Sequence, residues 1–127
     1  MAFQKTLILG LGNTILGDDG VGICVAREIR NNWAGDPLVE IIEASLGGMV
    51  LLDLITGFDR VIVVDAIMTN ATIELGKRIG YKMPATVRIY AVKIEENTVF
   101  TEKLTPAVGA VVPALAGRLI DELKKQG

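Results

Sequence analysis

Three runs of largely branched aliphatic residues divide the first half of the chain: Thr6-Leu-Ile-Leu-Gly10, Val39-Glu-Ile-Ile-Glu-Ala44 and Arg60-Val-Ile-Val-Val-Asp65. Each has the length of a strand, and the first and third are nearly continuous in apolar character. Such strands are covered on both faces, as in parallel sheets lined by helices. Between the first two runs, Val21, Val25, Ile29 and Trp33 recur at i, i+4 spacing, which predicts a helix over 20–33 with Cys24 and Trp33 in its core face. Gly35-Asp-Pro37 ends it. After the second run, Ser45-Leu-Gly-Gly48 reads as a turn into a short helix over 49–56, carrying Leu51, Leu52 and Ile55. The order β-α-β-α-β predicts an α/β fold built on a right-handed parallel sheet.

The second half is less regular. A helix is expected over 72–80, with Pro84 stopping it, and Thr86-Val-Arg-Ile-Tyr-Ala-Val-Lys-Ile94 reads as a fourth strand. Thr105 is a candidate N-cap, and Pro106 fits the first helical position, where a missing N–H costs nothing. Val108, Val111, Val112, Leu115 and Leu119 then form an apolar stripe towards Lys125, with a kink expected near Gly109 because Pro113 removes one backbone bond. At 127 residues the chain reads as a single domain, 1–127.

Composition narrows the function classes. The net charge is −2 and no basic stripe occurs, so nucleic acid is not an expected partner. No apolar run approaches the length of a membrane span, and the start, Met-Ala-Phe-Gln-Lys, has no signal-peptide pattern. Cys24 is the sole cysteine, which excludes an internal disulfide and a cysteine metal cage. A cytoplasmic protein is expected.

The chemistry-bearing residues cluster at strand ends. Asp19 closes the loop after the first run, and Asp65 closes the third run. In a parallel sheet both would reach the same edge, where open α/β sheets bind their ligands. Two acids meeting there suit a hard cation or a proton transfer. Asp18 and Asp19 also read as a helix N-cap with a charge that favours the dipole, and Asp65 as a turn-forming acid. Gly10-Leu-Gly12 after a strand invites a dinucleotide reading, with Glu43 as the ribose-binding acid. The spacing argues against it, because Ile15 stands where the fingerprint needs its third glycine.

Taken together, Leu9-Gly-Leu-Gly-Asn-Thr-Ile-Leu-Gly-Asp-Asp-Gly-Val-Gly22, Ser45-Leu-Gly-Gly48 and Val61-Ile-Val-Val-Asp-Ala-Ile67 resemble the hydrogenase maturation proteases, and Leu104-Thr-Pro-Ala-Val108 with Val112-Pro-Ala-Leu115 resembles that family's closing helix. The resemblance implies a three-layer α/β fold, a mostly parallel twisted sheet with helices on both faces. It implies an endopeptidase that trims the C-terminal extension of a nickel–iron hydrogenase large-subunit precursor once nickel is inserted. By the same resemblance Asp19 and Asp65 are the metal ligands and the catalytic acids. The nickel is supplied by the substrate, and other divalent ions can substitute. Asn13 shapes the loop, and Gly47 and Gly48 leave room for the substrate tail. The family's third ligand is a histidine, and this sequence contains none. Its loop would fall near 69–71, where a family segment is missing from the sequence. The alternative is therefore a non-catalytic relative that binds the metal or the precursor without cutting.

Overall fold

A computed structural model describes residues 5–33, 35–45, 53–68, 86–94, 101 and 103–125. Four strands form one sheet: β1 (Thr6–Leu11), β2 (Val39–Ala44), β3 (Arg60–Met68) and β4 (Thr86–Ile94). Their order is β2-β1-β3-β4, and all three pairings are parallel. Two helices accompany them, α1 (Val21–Asn32) and α2 (Pro106–Lys124), with a 3-10 turn at Gly17–Gly20 leading into α1. The expected α/β fold is the observed one.

Alternation along the central strands divides the interior in two. Ile8, Ile62 and Val64 point to one face and meet Val21, Val25 and Ile29 of α1 and Val108, Leu119 and Leu123 of α2. Leu7, Leu9, Val61 and Val63 point to the other, where Ile55 caps a second cluster from the helical turn at 53–55. Ile8, Leu9, Val61 and Ile62 are wholly buried, as double-sided cover predicts for near-continuous apolar strands. Each fully buried aliphatic side chain of this size contributes roughly 1.5–3 kcal/mol relative to exposure.

Several boundaries differ from expectation. β3 does not stop at Asp65 but continues to Met68, because β4 pairs alongside it from Arg60↔Thr86 to Met68↔Ile94. β1 accompanies β3 only as far as Gly10↔Val64. Asp65 therefore lies within a strand, one residue past its last pairing with β1. α2 runs on through Pro113, which faces solvent. Its fully buried stripe lies further along than expected, with Ala116, Ile120 and Leu123 joining Val108 and Leu119, while Val111, Val112 and Leu115 are partly buried. Cys24 and Trp33 are half-buried rather than core. The helix expected over 72–80 and the missing family segment near 69–71 lie outside the described residues, as do Gly47 and Gly48.

Candidate active site

The path from β1 to α1 is set by close backbone approaches that only glycine permits. Gly12 has φ +151°, and a Cβ there would stand 2.2 Å from the Asp19 carbonyl oxygen. The Asn13 N–H donates to that same carbonyl at 3.3 Å. The loop thus doubles back, bringing Asn13 and Asp19 side by side. Gly22 opens α1 so near the sheet that a Cβ would meet the carbonyl oxygens of Leu11 and Val64, both at 2.3 Å. The first turn of α1 consequently sits over the ends of β1 and the middle of β3, next to Asp65. Gly12 thus lets the loop fold back on itself, and Gly22 lets α1 pack against the sheet.

Asn13, Asp19, Ser45 and Asp65 line one cleft of about 260 Å³ together with Leu11, Gly12 and Ala66. Asp65 is half-buried, and its Oδ1 accepts the Ala66 N–H at 2.8 Å. Burial pushes its pKa up from 3.8 to about 6; the Ala66 bond opposes the shift and the nearby Asp19 charge adds to it. The two carboxylates therefore face a common space. Among the described residues no cation pairs with either of them, and the Asp19 carboxylate has no hydrogen-bond partner. Two acids lining one cleft suit a divalent cation. No group of three or more His, Cys, Asp or Glu side chains suited to a metal occurs among the described residues. An ion held here would draw its remaining ligands from whatever else enters the cleft.

Asn13, Asp19 and Asp65, singled out in the sequence, are brought together. The Asn13 side chain accepts the Ile15 N–H at 3.1 Å, an Asx turn that stiffens the loop. Ser45 was legible only as a turn residue. The neighbouring acid, Asp18, neither caps α1 nor enters the cleft: the N-cap is Gly20, without a side-chain bond, and Asp18 is buried against Thr105. Thr105 stands at the N-cap position of α2 but makes no cap bond of its own.

Two other polar groups are accounted for elsewhere. Glu43, the acid of the dinucleotide reading, is held by Arg27 at 2.9 Å and Arg30 at 2.6 Å. Cys24 lines a second cavity of about 260 Å³ with Thr14, Gly17, Gly20, Arg27 and Leu104. Burial raises its thiol pKa, Arg27 lowers it and Glu43 raises it, for a net increase. A thiol shifted upward is a poor nucleophile, so this cysteine gives no support to thiol chemistry.

No family model matches the chain. The Hydrogenase 2 maturation protease of Escherichia coli K12 is 28% identical over 103 residues, covering 81% of this chain and 56% of that protein. The hydrogenase expression/formation protein HupD of Bradyrhizobium diazoefficiens is 33% identical over 64 residues, covering 50% of this chain and 33% of its own. Among solved structures, the hydrogenase maturating endopeptidase HybD of Escherichia coli superposes with a TM-score of 0.78 at 20% identity, covering 97% of this chain and 94% of that one. The chain resembles the hydrogenase maturation proteases in sequence and in fold.

The maturation protease HycI of Thermococcus kodakarensis gives a TM-score of 0.69 at 21% identity, covering 95% and 93% of the two chains. At these identities the structural likeness to the maturation proteases establishes the α/β fold. By sequence, the chain spans about half the length of the Escherichia coli protease and a third of HupD. No helix among the described residues is long and apolar enough to cross a membrane.

Proposed function

We propose that this chain is a cytoplasmic endopeptidase of hydrogenase maturation, removing the C-terminal extension of a nickel–iron large-subunit precursor after nickel insertion. The observation that carries the reading is the cleft that Asp19 and Asp65, from separate elements, line together, with no cation among the described residues paired to either. The relatives' names supply the reaction class.

In this reading the nickel would arrive as part of the substrate, and Asp19 and Asp65 would hold it, their charge and oxygen donors suiting a divalent ion. Binding then reports that insertion is complete, because an empty precursor brings nothing to offset the repulsion between the acids. Other divalent ions can substitute. Asn13 holds the loop that presents Asp19, and by the family resemblance Gly47 and Gly48 would accommodate the substrate tail. One of the two acids would serve as the base that takes a proton from water as the water oxygen attacks the scissile carbonyl. The same proton is then available to the departing amine as the C–N bond breaks.

The test is incubation of a nickel-loaded precursor with the wild-type protein, Asp19→Asn and Asp65→Asn, followed by gel mobility and mass. The wild type should shorten the loaded precursor and leave a nickel-free one intact, while both variants fold and leave it whole. Full cleavage by either variant removes the assignment. A second reading, a non-catalytic relative that binds metal or precursor, is favoured by the absence of histidine from the sequence. Retention of the intact precursor by the wild-type protein, without shortening, would select it.

A further inference from the structure

Asp18 and Asp19 are consecutive on one 3-10 turn, yet their carboxylates lie in opposite settings. Asp19 faces the cleft. Asp18 is 4% exposed and carries two charge-assisted hydrogen bonds, from the Thr105 N–H to Oδ1 at 2.7 Å and from the Thr105 hydroxyl to Oδ2 at 2.9 Å. A buried carboxylate is costly unless its oxygens are bonded, so this contact is specified rather than incidental. A threonine at the start of a helix ordinarily caps its own first turn. Here its hydroxyl oxygen accepts no helix N–H, and both its donors go to a residue 87 positions away. The same loop is fastened twice more from behind, by Gly17 N–H to the Thr101 carbonyl at 2.7 Å and Thr101 N–H to the Ile15 carbonyl at 2.9 Å.

α2 itself is anchored in the core through Val108, Leu119 and Leu123. The turn is therefore clamped to a fixed body on one side and opens on the cleft at the other. Because the Asp19 carboxylate has no bond of its own among the described residues, its place is set through the backbone of that turn. We infer that Asp18 and Thr105 are positioning residues, a clamp between the loop and α2 that holds Asp19 over Asp65; the inference rests on the endopeptidase reading above.

The experiment follows processing of the nickel-loaded precursor by the wild type, Thr105→Val, Thr105→Ala and Thr105→Ser, with Asp19→Asn as control. It is run at a temperature where circular dichroism shows every variant fully folded. Thr105→Val keeps the backbone N–H bond and removes only the hydroxyl bond. It should lower kcat about tenfold, as slight misplacement of a reacting group does, with KM changed less than about twofold. Thr105→Ala gives the same loss should the valine variant not fold, and Thr105→Ser restores the rate to within about twofold of wild type. Wild-type kcat in both the valine and alanine variants overturns the clamp and leaves the endopeptidase reading standing. So does a rise in KM alone, or a failure of serine to rescue. No processing by the wild type, or an undiminished rate in Asp19→Asn, instead sinks the reading itself and the clamp with it.

Discussion

Replacing Asp65 by asparagine should make the isolated protein more stable at alkaline pH while removing the processing activity proposed above. The carboxyl has a folded-state pKa of about 6 against its ordinary 3.8, chiefly because burial disfavours the charged form. Between those two values the folded protein binds the extra proton, so this group's contribution to stability falls as pH rises from about 4 to 6. The cost is fully present above pH 6 and absent below 3.8. At about 1.4 kcal/mol per pH unit, the difference amounts to about 3 kcal/mol as an upper bound. Asp65 is only half-buried, so screening by water reduces this to about 1–2 kcal/mol. Asparagine keeps an oxygen for the Ala66 N–H and never ionises. Urea unfolding of both proteins at pH 8, 6 and 4, without added metal, should show the variant ahead by that margin at pH 8 and nearly level at pH 4. A variant less stable than wild type at pH 8, or a gap that does not change with pH, would refute burial as the source of the shift.

Two further perturbations test the frame around the cleft. Gly22→Ala puts a methyl against the backbone oxygens of Leu11 and Val64, neither of which can swing aside, and should cost at least about 1–3 kcal/mol in urea unfolding. Glu43→Gln should change stability by less than about 1 kcal/mol at pH 7, since its arginine partners are largely exposed, and the difference should shrink further in molar salt.

How far the sequence could be read depends on which forces set each feature. β2 and β4 begin and end where their aliphatic runs do, and α2 starts at the Thr105-Pro106 signal, because those limits are local. The end of β3 is not local. It is set by β4 pairing along all nine residues, and nothing in Asp65-Ala-Ile-Met68 announces it. The meeting of Asp19 with Asp65 was legible, since parallel strands send their ends to one edge. The division of labour between Asp18 and Asp19 was not, because adjacent residues on a tight turn diverge in direction and Asp18's partner lies in a distant helix. The half-exposed state of Cys24 was likewise hidden. Helical spacing placed it beside the core stripe, and only the folded loop shows the cavity it lines.

All four strands advance the same way, so the chain leaves the sheet along one margin and returns to it along the other. The two margins are under different obligations. At the returning side a connection needs only to deliver the next strand in register, as the Lys5 carbonyl does by receiving the Asp59 and Arg60 N–H groups. At the departing side, Leu11, Gly12 and Asn13 after β1 and Ser45 after β2 border the acids. Lengthening or shortening a connection there would redraw the walls around Asp19 and Asp65 while the strand pairings beneath stayed as they are. The shape of the cleft can thus drift on a floor that does not move.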